Sequence, residues 1–298
     1  MWQQKWPGMP MENNTNTQAI QQAVMNLPAL RDLVAAADLK ARKSLGQNFL
    51  FDLNLTAKIA RAATPFANTV IEIGPGPGGL TRALLLEGAQ QVIAVEKDRR
   101  VLGFLQHLID AANGRMTFIE ADVLAQAVWE LGTAPRQIIA NLPYNIATTL
   151  LLQWLEHADD FASFILMFQK EVAMRITAQP GDAAYGRLSI ITQWRATAEC
   201  VFDIPPEAFI PPPKITSTVV RIIPRPKPLA DCTASDLEAV TAIAFGQRRK
   251  MLRASFKRHG GGAFIEEAGI DPASRPQDLP IEAFCALARL YRKRQEQS

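Results

Sequence analysis

Val70-Ile71-Glu72-Ile73-Gly74-Pro75-Gly76-Pro77-Gly78-Gly79-Leu80 reads as a strand, a glycine turn and the start of a helix. Gly74, Gly76 and Gly79 satisfy the spacing G-x-G-x-x-G, which brings backbone and helix start close to a ligand. Around this stretch the chain alternates. Thr69–Ile73, Gln91–Glu96, Met116–Ala121, Gln137–Ala140 and Phe164–Phe168 are β-branched or apolar runs that read as strands. Helical stretches at Leu80–Glu87, Arg99–Ile109 and Glu171–Ile176 lie between or after them. Leu188–Thr192 and Thr218–Ile223 read as two further strands. Alternation in this register implies an α/β fold with a parallel sheet covered on both faces.

The glycine loop has two chemical readings. Glu96 lies twenty residues beyond Gly76, at the end of the next strand, where a ribose-binding acid is expected. That arrangement suits a dinucleotide, and it equally suits S-adenosylmethionine. The prolines weigh between them. A pyrophosphate is held by backbone N–H groups at the loop and helix start. Pro75 and Pro77 each remove one such donor. S-adenosylmethionine has no phosphate and loses nothing by this. Asp122 follows the third strand, at the sheet edge where ligands of such folds bind, although an Asp after a strand is also a common turn residue.

The second informative stretch is Asn141-Leu142-Pro143-Tyr144, directly after the strand at Gln137–Ala140. It offers an amide oxygen, a backbone carbonyl and an aromatic ring at one rim of the sheet. Pro143 biases Leu142 toward extended geometry, so the Leu142 carbonyl is aimed. These groups can hold a planar base and its exocyclic amine. An Asn-x-Pro turn with no such role is equally ordinary in α/β proteins.

Composition narrows the field. The chain has 298 residues, 48% hydrophobic and 20% charged, an ordinary globular balance with room for a large domain and a small one. No apolar run approaches the length that spans a bilayer. The start lacks the features of a secretory or transit peptide, so the expected location is the cytoplasm. Cys200, Cys232 and Cys285 are too widely spaced for a disulfide framework or zinc site, and no metal is expected. Residues 1–27, rich in Gln and Asn, read as disordered. Pro224-Arg-Pro-Lys-Pro228 reads as a stiff linker. The expected organisation is an extension (1–27), a large α/β domain (28–228) and a small all-α domain (229–298).

Net charge is only +3, but basic residues cluster at Lys40, Arg42 and Lys43, again at Arg248–Arg258, and at the end. In the middle cluster, Arg249, Arg253 and Lys257 fall at helical spacing beside an apolar face of Phe245, Leu252 and Phe256. That pattern suits a nucleic-acid surface, and also a solvated helix face.

Several segments together resemble the ribosomal RNA adenine dimethyltransferases, and among them the small-subunit (16S rRNA) enzymes whose loss gives kasugamycin resistance. They are Arg42–Leu50, Glu72–Thr81, Val95–Asp98, Asn141–Tyr144, Gln169–Val172, Tyr185–Ser189 and Phe209–Lys214. They run in family order from about residue 38 to 258. The long N-terminal extension departs from the family pattern; a start at Met9, Met11 or Met25 would remove much of it.

The resemblance implies a class I S-adenosylmethionine-dependent methyltransferase (Rossmann-like) sheet with a final antiparallel strand, and a small all-α C-terminal domain. It implies S-adenosylmethionine contacts at Asn48, Leu50, Gly74, Glu96, Asp122 and Asn141. It places Asn141, Leu142, Pro143 and Tyr144 in the chemistry, with Tyr144 and Phe209 flanking the target adenine. The implied partner is 16S rRNA within the small ribosomal subunit, met by a monomer with no membrane contact. Four alternatives remain: a macrolide-resistance methyltransferase of large-subunit RNA, a DNA adenine methyltransferase, a binding-only assembly factor, and an NAD dehydrogenase.

Overall fold

The computed structural model describes residues 14–36 and 47–297. The basic cluster at Lys40, Arg42 and Lys43, with the first part of the Arg42–Leu50 motif, lies outside them. Along the chain run α1 (Asn14–Met25), α2 (Leu30–Ala36), β1 (Phe49–Leu50), α3 (Leu53–Ala62), β2 (Thr69–Ile73), α4 (Gly79–Leu86), β3 (Val92–Glu96) and α5 (Leu102–Ala111). Next come β4 (Met116–Glu120), β5 (Arg136–Ala140), α6 (Tyr144–Glu156), β6 (Phe161–Gln169), α7 (Lys170–Thr177), α8 (Arg187–Arg195), β7 (Ala196–Ile204), β8 (Phe209–Ile210) and β9 (Ser217–Pro224). The helices α9 (Ala234–Phe245), α10 (Leu252–Ser255), α11 (Gly261–Glu267) and α12 (Ile281–Gln295) follow.

Seven strands form one sheet in the order β4-β3-β2-β5-β6-β9-β7. The first five are parallel neighbours, and β9 runs antiparallel to both β6 and β7. Strand alternation sends successive side chains to opposite faces. Val70, Val92 and Ala94 therefore join a cluster with Leu84 and Leu105, while Ile71, Ile93 and Val95 join another with Leu150 and Trp154. This is the doubly wound sheet with a late antiparallel strand that the resemblance implies. The order turns back between β2 and β5, the place where such sheets open a crevice. A short ribbon of β1 and β8 stands apart, pairing Phe49 with Ile210 and Leu50 with Phe209.

Three local readings are corrected. Leu188–Thr192, expected as a strand, lies in helix α8, which is buried along almost its whole length. A helix buried on every side shows no amphipathic period, and its β-branched Ile190, Ile191 and Thr192 imitate a strand. The strand that occupies the sheet edge is the next segment, β7. The second correction is α1: part of the tail expected to be disordered is a helix with Ile20 and Val24 buried against the body. Its polar Gln and Asn residues hide a short apolar stripe whose stability comes from docking.

The third concerns the basic stripe. Phe245 and Leu252 do not share a helix, because α9 ends at Gly246 and a turn intervenes before α10. Arg249 sits in that turn, Arg253 on α10 and Lys257 in the 3₁₀ turn beyond it, all exposed. The apolar residues still converge. Leu252 and Phe256 are fully buried in a cluster with Phe264, Phe284 and Leu287. Tyr185, Ile190 and Trp194 belong to the same cluster. The Tyr185 hydroxyl donates to the Leu279 carbonyl at 3.0 Å and Trp194 Nε1 to the Ala230 carbonyl at 2.8 Å. The C-terminal helices thus share their core with α8 and the loop before it.

Leu252 is fully buried in that shared core. Leu252→Ala should cost ~2–5 kcal/mol of stability, read as a fall in the urea midpoint. A loss below about 0.5 kcal/mol, the range of ordinary surface changes, would mean that Leu252 is not packed in that core.

Candidate active site at the carboxyl edge of the sheet

The carboxyl ends of β2, β3, β4 and β5 open into a cavity of about 230 Å³. The sequence-predicted residues Asn48, Leu50, Gly74, Glu96, Asp122, Asn141, Leu142 and Pro143 all line it. Phe49 lines it too, and explains why residue 76 must be small: a Cβ there would lie 3.0 Å from the Phe49 ring, on a backbone with φ of 53°.

The loop between β2 and α4 is poor in donors. Pro75 and Pro77 have no N–H. The Gly74 N–H donates to the Val95 carbonyl at 2.9 Å and the Gly78 N–H to the Pro75 carbonyl at 3.0 Å. The Gly76 N–H faces the Glu96 carboxylate. From residue 74 to 78, no backbone N–H is left over for a phosphate.

Glu96 closes β3. Its Oε1 accepts the Lys97 and Asp98 N–H groups, each at 2.8 Å. Burial raises its pKa, and those N–H groups pull it back. Asp98, next in line, is held down to about 2, chiefly by the Arg100 guanidinium and further by Gln47. Gln47 Nε2 reaches it at 3.0 Å and so pins the segment that enters the cavity wall. Asp122 carries a lowered pKa, because the Lys97 ammonium donates to its Oδ2 at 2.7 Å and the Leu124 N–H to its Oδ1 at 3.1 Å.

Asn141 ends β5. Its Nδ2 donates to the Asn48 carbonyl at 2.9 Å, so the amide oxygen is the end left to accept. This bond also ties the N-terminal arm to the sheet. Pro143 is the N-cap residue of α6 (φ −55°, ψ 127°). Tyr144, the first residue of α6, does not line the cavity. Its half-buried ring is fixed by a 2.6 Å bond between its hydroxyl and that of Ser217 on β9, and burial raises its pKa.

Phe209 departs from its expected place. It pairs with Leu50 across the short ribbon, and its ring is only 1% exposed within the core. A ring packed on both faces offers none to a base. The period of two sends the next residue outward, and Ile210 is 51% exposed.

Glu72 is the functional candidate that the site reading missed. It lines the cavity, is 1% exposed, and its Oε2 has no hydrogen-bond partner. Burial raises its pKa from 4.5 to about 8, opposed by Thr81 and reinforced by Glu96. An acid inside the otherwise apolar run Val70–Ile73 was the available signal. Because the folded state keeps a proton on Glu72 that the unfolded chain releases, the contribution of this group to stability is full below pH 4.5 and is lost as pH rises toward about 8. Glu72→Gln should flatten that loss, on the order of a few kcal/mol, in urea melts taken across the same window. Parallel pH profiles for the two proteins would contradict a neutral Glu72.

The ribosomal RNA adenine dimethylase family model matches residues 38–293. A curated relative from Rhodospirillum rubrum, named ribosomal RNA small subunit methyltransferase A, is 58% identical over 265 residues, covering 88% of this chain and 92% of its own. The protein of the same name from Paramagnetospirillum magneticum is 55% identical, covering 89% and 95%. Among solved structures, a dimethyladenosine transferase from Plasmodium falciparum superposes with a TM-score of 0.71 at 25% identity, over 83% of this chain and 98% of that one. The 23S rRNA methyltransferase ErmE superposes with a TM-score of 0.64 at 26% identity, over 82% and 99%. With the glycine loop and the Asn141–Tyr144 stretch both inside the matched span, the chain belongs to the ribosomal RNA adenine dimethylase family.

Proposed function

We propose that the protein transfers methyl groups from S-adenosylmethionine to the N6 amines of two adjacent adenosines near the 3′ end of 16S rRNA, giving N6,N6-dimethyladenosine. The observation that carries the reading is a nucleoside-type cavity whose loop from residue 74 to 78 has no N–H to spare for a phosphate, bordered by Asn141-Leu142-Pro143-Tyr144. The relatives named small subunit methyltransferase A favour the 16S substrate over the large-subunit alternative.

The cavity residues fit the methyl donor. Glu96 would hold the ribose and Asp122 the adenine amine, and the buried Glu72 adds a further polar group to the wall. The unpartnered Glu72 Oε2 is a buried polar atom that a bound ligand can satisfy. When bound, the donor supplies an electrophilic methyl on a sulfonium.

The chain's own work is positioning. An adenine amine is a weak nucleophile because its lone pair is delocalised into the ring. The Asn141 amide oxygen and the Leu142 carbonyl accept its two hydrogens and favour a pyramidal nitrogen with a localised lone pair. No strong base is needed, since the methylated ammonium is acidic and water can take its proton. Tyr144 stacks on the base drawn out of its hairpin, a contact worth ~1–3 kcal/mol. The exposed Arg249, Arg253 and Lys257, with Arg248 and Lys250, then grip RNA phosphates across the turn after α9 rather than along one helix. In this reading 28–228 carries the chemistry, 229–298 contributes the grip, and binding to immature subunits serves a late step in their biogenesis.

Incubating the protein with labelled S-adenosylmethionine and undermethylated small subunits, then mapping labelled nucleosides, tests the reading. Label should appear as N6,N6-dimethyladenosine at two adjacent adenines. Asn141→Ala should suppress it, and Tyr144→Ala should slow it while leaving cofactor affinity near normal. Monomethyladenosine alone, or label confined to large-subunit RNA, would favour the macrolide-resistance alternative.

A further inference from the structure

α1 and α2 precede residue 38, where the family match begins, yet they dock on the helix that carries the glycine loop. Ile20 and Val24 join the cluster that holds Leu84 of α4 and Leu105 of α5. Gln21 Nε2 donates to the Leu86 carbonyl at 2.6 Å, at the far end of α4. Arg115 donates to the Thr17 hydroxyl at 2.9 Å, and the buried Arg82 of α4 donates to the Pro28 carbonyl at 3.0 Å. At the near end of α4 stands Leu30. A Cβ on Gly79 would lie 3.3 Å from Leu30 Cδ2 and 2.5 Å from the Leu50 carbonyl oxygen. Gly79, Leu80 and Leu50 line the cavity; Leu30 stands beside Gly79 from outside it.

We propose that α1 and α2 form a brace that positions Gly79 and Leu50 for the cofactor, with Leu30 as the positioning residue; this rests on the cavity being an S-adenosylmethionine site. A twelve-residue helix is marginal alone in water, so α1 stays folded because it is docked. Docking and cavity shape are then linked. Linkage is reciprocal: if the brace strengthens cofactor binding, the cofactor must strengthen docking of the brace, which it never touches.

Both directions can be measured on the full chain. Calorimetry with S-adenosylmethionine should show Leu30→Ala binding about tenfold more weakly, within the usual range of coupling between sites. Turnover at saturating cofactor should stay within about twofold, so KM moves and kcat does not. Leu30→Met should restore affinity, and Leu252→Ala should lower stability without changing affinity. In the wild-type chain, S-adenosylmethionine should slow backbone hydrogen exchange across Thr17–Met25. A folded Leu30→Ala variant with wild-type affinity overturns the brace. If that variant does not fold, the exchange measurement decides, and exchange in α1 unmoved by cofactor overturns it as well. Wild-type protein that binds no S-adenosylmethionine would instead defeat the cofactor reading.

Discussion

The Glu96 carboxylate at the end of β3 is the tie on which the cavity depends. It accepts two N–H groups from the chain that follows it and faces a third from the glycine loop. The neighbouring parallel strands β2 and β3 are thereby joined at their carboxyl ends, beside the point between β2 and β5 where the sheet order turns back. The same contact consumes a donor that a phosphate-binding loop would need. What looks by spacing like a dinucleotide site has, by hydrogen-bond accounting, no loop N–H from residue 74 to 78 left for a phosphate.

Around that tie the remaining walls lock together. Asn141 bonds the Asn48 carbonyl, Gln47 bonds Asp98, and Leu50 presses on Gly79. A segment from far upstream thus becomes one wall, held at both the sheet end and the start of α4. These bonds also fix which end of the Asn141 amide remains to accept. The Asn141 amide at the end of β5 is oriented by the backbone of Asn48 on the facing wall.

The parts of this arrangement that depend on local pattern were legible in the residues. The Val70–Leu80 stretch, the strand runs and the Glu96 spacing each carry their signal within a few residues. What escaped depends on distant packing. α8 reads as a strand because burial on all sides erases its period. α1 reads as disordered because its stability lies in α4. Phe209 was placed beside a base by likeness alone; only its pairing with Leu50 reveals that the ring points inward. The basic stripe reads as one helix, and the turn between α9 and α10 divides it. Glu72 sat in plain view, but its raised pKa comes from a burial that only the folded sheet creates.

The most direct test is calorimetric titration of the wild-type chain and Glu96→Ala with S-adenosylmethionine and, separately, with NAD. The wild-type chain should bind S-adenosylmethionine and give no heat with NAD. Glu96→Ala should remain folded and bind S-adenosylmethionine weaker by about a hundredfold, as expected for charge-assisted hydrogen bonds worth ~1.5–3 kcal/mol each. Unchanged affinity in a folded Glu96→Ala chain, or binding of NAD in place of S-adenosylmethionine, would contradict the reading of the cavity.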